Sequence, residues 1–207
     1  MKAYPTIPKT PPKGPTKFWV FDKLDGSCIR AEWSKKRGFH KFGTRKRLLG
    51  TDQGVLAEAQ QLAEAQELSF RKVFEGCKID RVVCFFEFHG ANSFAGNHIA
   101  GEAHRLTLFD VDVYNVGLVN PDEFLAMFAD YDIDIAALLY VGPMDEVILT
   151  EIRTGSFPGM SFEGVVAKAR RQKRIGTPMM FKVKNEAWIA KVKANYDKSR
   201  WGTNFEA

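Results

Sequence analysis

The sequence of 207 residues predicts an α+β domain in which antiparallel sheets are flanked by helices. Two observations carry that reading. Short runs of strand length, apolar or alternating, recur through the middle of the chain. Helical stretches separate them, but without the regular strand–helix–strand rhythm of a parallel sheet. A content of 45% hydrophobic and 13% aromatic residues suffices to bury one substantial core, so a single domain over residues 1–207 is expected.

The elements follow in order. Residues 1–16, "MKAYPTIPKTPPKGPT", are too rich in proline for a regular helix or a central strand and read as an extended arm lying on the domain. "KFWVF" is a short apolar strand that runs into the turn "KLDG". That turn reads either as a hairpin with a solvated lysine near its tip, or as the mouth of a pocket holding Lys23 as a nucleophile. "SCIRAEW" alternates, with Cys28, Arg30 and Glu32 on one face and Ile29, Ala31 and Trp33 on the other. The basic stretch 35–47 reads as a loop or ragged hairpin. Thr51 or Asp52 should cap a helix with Val55, Leu56, Ala59, Leu62 and Ala63 at helical spacing. "RVVCFFEFHG" and "LTLFDVDVYNV" are strands on either side of a polar loop. Asn120, Pro121 and Glu123 form a helix start. "AALLYVG" is apolar, and a short helix is expected over residues 144–153. "SFEGVVAKAR" and "PMMFKVK" are the last strands, and "NEAWIAKVKANY" closes the chain as a helix.

Composition excludes several classes. No run of about 18 apolar residues exists to span a membrane. The N-terminus lacks the apolar core of a secretory signal. Three cysteines, Cys28, Cys77 and Cys84, without C-x-x-C spacing argue against a disulfide framework and a thiolate zinc site. His89, His98, Glu102 and His104 lack the regular spacing of zinc ligands. Reduced thiols imply the cytoplasm, a phage's host cytoplasm included. The net charge of +5 and the basic blocks at 35–47 and 168–176 point to a polyanionic partner. Arg171 and Arg174 are the residues expected at its phosphates.

Charged groups also stand where strand cores should be apolar. They are Lys23 and Asp25 in "KLDG", Arg45 in "GTRKR", Glu87 in "FFEFHG", Glu163 in "FEGVVAK", and Lys182 with Lys184 in "FKVKN". Each needs a partner or a ligand, because an unpaired buried charge is costly. Alternation projects Lys182 and Lys184 from one strand face, where a phosphate chain would satisfy both.

In order and content these stretches resemble the conserved motifs of the covalent nucleotidyltransferases, that is, polynucleotide ligases and mRNA capping enzymes. "KLDG" resembles motif I, "FFEFHG" motif III, "LTLFDVD" motif IIIa, "FEGVVAK" motif IV and "FKVKN" motif V. Within that superfamily the chain is most similar to the ATP-dependent ligases that seal nicked duplex RNA, whose endings resemble "KVKN" and whose N-terminal segments resemble "AYPTIPK". The resemblance implies an adenylation domain of ATP-grasp-like ligase type, with ATP and Mg²⁺ or Mn²⁺ as cofactors and RNA or DNA ends or nicks as partners, working as a monomer. It implies that Lys23 attacks the α-phosphorus of ATP to give lysyl-AMP. AMP then passes to a 5′-phosphate, and a 3′-hydroxyl displaces it. By position, Phe109 would stack on adenine, Glu87 would contact the ribose, and Glu163 would help hold the metal. Lys182 and Lys184 would hold the α-phosphate. Asp22 would read adenine through its backbone, and Asp25 and Gly26 would make the turn. Lys182, Lys184 and Arg45 would lower the pKa of Lys23. Two departures stand out. Many ligases carry arginine where this chain has Cys28, which leaves Arg30 as a substitute on the same face. The oligonucleotide-binding barrel and other C-terminal domains of larger ligases are not expected within these residues. A DNA-joining ligase, a GTP-using capping enzyme and a non-catalytic nucleic-acid module are the competing readings.

Overall fold

The computed structural model describes residues 1–12, 14, 16–50, 54–91, 101–172 and 175–195. Among them the chain forms two antiparallel sheets. The first, in the order β7-β1-β8-β9, contains β1 (Phe18–Lys23), β7 (Leu138–Gly142), β8 (Gly164–Lys168) and β9 (Met180–Lys184). The second, in the order β3-β2-β4-β5-β6, contains β2 (Gly26–Ser34), β3 (Gly38–Thr44), β4 (Arg81–His89), β5 (Arg105–Val113) and β6 (Gly117–Leu118). The α+β expectation therefore holds. The helices are α1 (Val55–Ala65), α2 (Glu67–Gly76), α3 (Pro121–Phe128), α4 (Glu146–Thr154) and α5 (Glu186–Asn195).

Each sheet buries one face under helices. Ile29, Ala31 and Trp33 of β2 and Cys84, Phe86 and Phe88 of β4 meet Phe70, Val73 and Phe74 of α2 and Phe124 and Phe128 of α3. The alternation read in β2 is thus the alternation observed. Phe18 and Val20 of β1, Val165 and Ala167 of β8, and Phe181 and Val183 of β9 pack on Leu149 and Ile152 of α4. Period-two patterning sends the remaining residues, among them Lys23, Lys182, Lys184, Glu87 and Phe109, to the opposite faces.

Several local expectations are corrected. The Lys23–Gly26 turn is not a hairpin. β1 pairs with β7 and β8, while β2 pairs with β3 and β4, so the turn carries the chain from one sheet to the other. The basic stretch 35–47, by contrast, follows the ragged-hairpin reading, with β3 paired antiparallel along β2 and a register shift at Glu32/Trp33. Helix α2 was not anticipated. It is tied in by Glu67, which accepts hydrogen bonds from the Trp33 indole (3.1 Å) and the Phe39 N–H (3.0 Å). Thr51 and Asp52 lie outside the described residues, and the position preceding α1 is Gly54. Asn120 donates to Glu123 but does not cap the backbone of α3. Asp145 does cap α4, accepting from Ile148 N–H at 2.9 Å.

The arm lies on the domain as expected, held by charge as well as by packing. Lys2 pairs with Asp112, the Tyr4 hydroxyl donates to Asp110, and the Lys182 N–H donates to the Pro8 carbonyl (2.9 Å). Met1, Tyr4 and Ile7 pack on Val83, Phe85, Phe109 and Met180. Asp110 is buried and also receives Lys168 Nζ at 2.8 Å. Tyr4→Phe removes one donor from this buried carboxylate. We expect a loss of about 1–3 kcal/mol in urea unfolding, read as roughly 2–4 °C of melting temperature per kcal/mol for a domain of this size. An unchanged midpoint would show that the arm is not fastened through Asp110.

Candidate active site

The site begins where β1 ends. Backbone pairing sets Lys23 opposite Gly164 of β8, and Gly164 opposite Lys184 of β9. Two strand spacings of about 4.8 Å separate the two lysine backbones, within reach of a shared partner. Glu163, just before β8, is that partner. Its Oε1 lies 2.8 Å from Lys23 Nζ and 3.0 Å from Lys184 Nζ. The carboxylate is buried, and the Lys23 side chain is 22% exposed. The Asn185 N–H donates to the Glu163 carbonyl at 3.0 Å, which fixes the turn carrying it. Trp188 of α5 lies under Lys184 Nζ, 3.7 Å from the ring centroid, as a cation–π support.

Two glycines make this approach possible. A Cβ on Gly26 would stand 2.3 Å from the Phe88 carbonyl oxygen. At Gly164, φ is +139° and a Cβ would lie 2.1 Å from the Val183 carbonyl oxygen. Side chains at either place would push apart the strands that carry Lys23, Glu87 and Lys184.

Glu87 arrives from the second sheet, paired in register with Cys28 of β2 and Thr107 of β5. Burial pushes its carboxyl up to about 8, although Lys23 and a hydrogen bond from the Gly26 N–H oppose the shift. Asp25 is buried close by and adds negative charge beside Lys23 and Glu87. Lys182 is pulled down to about 8 by burial, then by the charges of Lys184, Lys23 and Arg45. Burial also lowers Lys184, with Glu163 opposing.

Lys23 behaves otherwise than expected. Burial does disfavour its ammonium, but Glu163, and then Glu87, outweigh burial and hold its pKa above the ordinary lysine value. The carboxylates beside Lys23, not the cations, decide the sign. The nucleophile candidate is therefore stored as an ion pair.

The other expected residues are placed as follows. The Asp22 carboxylate accepts from Ser161 N–H at 2.8 Å, and burial raises its pKa. Arg45 donates to Thr6 of the arm at 3.4 Å. Phe109 sits at a bulge of β5, half-buried, meeting Tyr4 edge to face at 5.0 Å. Lys168 Nζ donates to its carbonyl at 2.6 Å. Lys168 lies four residues along β8 from Gly164, about 13 Å at 3.3 Å per residue. Arg30 does not reach the lysines with its guanidinium. It donates to the carbonyls of Thr44 (2.7 Å) and Lys2 (3.1 Å), so it fastens the arm and β3. Cys28, in the arginine position, is pushed up to about 12 by burial and by Glu87. Arg171 donates its N–H to Asn120 and its guanidinium to the Val116 carbonyl. Arg174 and His98 lie outside the described residues. His104 pairs with Glu58 and His89 with Thr107, and no cluster of three metal-binding side chains occurs among the described residues.

Sequence reasoning missed Asp110 and Tyr4, and it placed Lys168 in a basic block expected at phosphates, whereas Lys168 is buried against Asp110. The signal was present in charged residues inside "GVVAK" and "LFDVDV", the same criterion that singled out Glu87.

Residues 16–184 match the RNA ligase family. The chain belongs to that family. The fold is similar to that of an RNA ligase from Naegleria gruberi, solved as a mutant with ATP and Mn, at a TM-score of 0.63 and 16% identity, over 86% of this chain and 52% of that one. An apo mutant of the same ligase aligns with a TM-score of 0.63 and 19% identity, over 85% and 51% of the two chains. Its complex with pyrophosphate gives a TM-score of 0.61 and 18% identity, over 86% and 52%. The chain thus spans about half the length of the solved structures it matches. No curated protein matches it by sequence.

The Glu87 shift has a measurable consequence. A carboxyl that titrates near 4.3 unfolded and about 8 folded binds more protons in the folded state between those pH values, so its contribution to stability falls as pH rises across that window. Glu87→Gln removes this dependence. The melting temperature of Glu87→Gln minus that of wild type should grow from pH 5 to pH 9. A difference that stays constant with pH would show that Glu87 is not held neutral by burial.

Proposed function

We propose that this domain is an ATP-dependent RNA ligase that works through AMP bound covalently to Lys23. The observation that carries the reading is the convergence of Lys23 and Lys184 on one oxygen of Glu163, in the backbone row Lys23–Gly164–Lys184. Membership of the RNA ligase family and relatives solved with ATP, Mn and pyrophosphate support it.

The donor set fits a divalent cation such as Mg²⁺ or Mn²⁺. The buried Glu163 carboxylate would hold it, together with substrate phosphates and water. When bound, such a cation supplies charge neutralisation at the triphosphate.

The chain's own residues do the rest. Lys23 can attack only as the free amine, so its ion pair with Glu163 must open before it attacks. Lys182 and Lys184 hold the α-phosphate through charge-assisted hydrogen bonds, with Arg45 adding positive charge at the edge. Glu87, neutral below about pH 8, can donate as well as accept at a ribose hydroxyl. Phe109 takes the base on its ring while Tyr4 braces its edge, and Asp22 contacts the base through its backbone. Asp25 and Gly26 hold the turn. AMP then passes from Lys23 to a polynucleotide 5′-phosphate, and a 3′-hydroxyl displaces it. The basic stretches 35–47 and 168–176, the buried Lys168 excepted, with Arg171 and Arg174, take the polynucleotide phosphates.

Two variants test the steps separately. Lys23→Ala should abolish transfer of label from ATP to the protein yet still seal an RNA strand that already carries 5′-AMP. Lys182→Ala should slow that sealing roughly 10²–10³-fold, as for removal of one preorganised donor to a reacting oxyanion. Sealing is read on denaturing gels with nicked RNA and, in parallel, nicked DNA. Undiminished labelling of Lys23→Ala would overturn the assignment. Equal sealing of DNA would widen the substrate class.

A further inference from the structure

A pocket of about 210 Å³ opens at the outer edge of β9, the edge away from β8 and β1. Its wall includes four cations, Lys9 of the arm, Arg153 of α4, and Lys182 and Lys184 of β9, against one acid, Glu186. The arm is fixed beside it because the Lys182 N–H donates to the Pro8 carbonyl at 2.9 Å. Helix α4 is fixed because Leu149 and Ile152 pack into the core beneath β9. Arg153 pairs with the exposed Glu146 at 3.6 Å. The Asn185 N–H turns inward to the Glu163 carbonyl. Antiparallel alternation therefore turns the Lys184 N–H outward, to the same edge as the Lys182 N–H. Val183 and Ile189 complete the wall, in which cations outnumber acids.

We infer that this edge pocket, with Lys9 and Arg153, receives the pyrophosphate that leaves when Lys23 is adenylated. The inference rests on the reading of Lys23 as the nucleophile. The row order supplies the argument. Lys23, Gly164 and Lys184 follow one another across β1, β8 and β9, and the pocket comes next. Gly164 carries no side chain there, and the Glu163 carboxylate that lies between the two ammonium groups withdraws when the Lys23 ion pair opens. Phosphoryl transfer places attacking and leaving groups roughly in line through phosphorus. With Lys23 on one side of an α-phosphate seated over Gly164, the leaving group points towards the β9 edge. The neutral Lys23 Nζ, its proton given to solvent, forms the N–P bond. The bond from the α-phosphorus to the bridging oxygen breaks, and its electron pair departs on pyrophosphate. Lys182 and Lys184 bound both halves, whereas Lys9 and Arg153 meet only the leaving half. That separates them from residues that hold AMP through all steps.

The test compares wild type with the Lys9→Ala/Arg153→Ala double variant. The exposure of both side chains leaves the core intact. Three readings are taken: discharge of lysyl-AMP by added pyrophosphate, sealing of a pre-adenylated RNA nick, and calorimetric binding of inorganic pyrophosphate. The pyrophosphate concentration for half-maximal discharge should rise on the order of tenfold or more, as for the loss of a charge-assisted contact. Pyrophosphate binding should weaken in parallel, while sealing of the pre-adenylated nick stays within about twofold. Unchanged discharge and unchanged binding would overturn the inference. Sealing that falls together with discharge would overturn it in favour of a polynucleotide phosphate in the pocket. If wild type forms no lysyl-AMP, the nucleophile reading fails. Calorimetry still decides the pocket: pyrophosphate bound equally by both proteins, or by neither, counts against it.

Discussion

One carboxylate oxygen bears on two ammonium groups at the end of a sheet, and much of the molecule serves to permit it. Glu163 is buried, so its charge would be costly alone; Lys23 and Lys184 offset it from strands β1 and β9 on either side of β8. The pairing requires three strands in register, a glycine at the centre of the row, and a turn that leaves the sheet directly after Lys23. The two sheets meet at that turn, which brings Glu87 from β4 close enough for its charge to act on Lys23. Burial, with the carboxylates opposing it, then spreads the local pKa values. The Lys23 value rises while those of Lys182 and Lys184 fall. A site in which Lys23 and Lys184 share one carboxylate, with Lys182 beside them, suits the proposed capture of a polyphosphate.

A second set of charges has a different task. Asp110, Asp112, Lys168, Arg30 and Glu32 are all buried, and their partners are Tyr4, Lys2, the Phe109 carbonyl, the Lys2 carbonyl and Arg81. Most of these fasten the N-terminal arm. Seating the arm sets the surroundings of Phe109 and brings Lys9 to the β9 edge. Tyr4 of the arm and Lys168 of β8 share the Asp110 carboxylate.

Most of the charged site was legible because it breaks the strand pattern. Glu87 within "FFEFHG", Glu163 before "GVVAK" and the lysines of "FKVKN" are costly exceptions in apolar strands, and the structure sets Glu163 and Lys184 together with Lys23. The same criterion does not say which exceptions serve chemistry and which hold the arm. Asp110 and Lys168 meet it equally well. The departure of β1 and β2 into separate sheets was not legible, since local alternation is blind to which strand pairs with which. The sign of the Lys23 shift was hidden for a related reason. It depends on Glu163 and Glu87, 140 and 64 residues away in sequence, at distances only the fold fixes. Arg30 shows the converse. It lies on the face the pattern assigned, but its guanidinium is spent on backbone carbonyls.

The central claim is that Glu163 holds Lys23 as an ammonium ion. The most direct measurement is the pKa of Lys23 by NMR in protein with ¹³C at the lysine side chains, in wild type and in Glu163→Gln. Assignment comes from the resonance lost in Lys23→Ala. Wild type should titrate above the ordinary lysine value, and the Glu163→Gln variant clearly lower, because burial then acts with less opposition. A Lys23 pKa that is unchanged by Glu163→Gln would contradict the account.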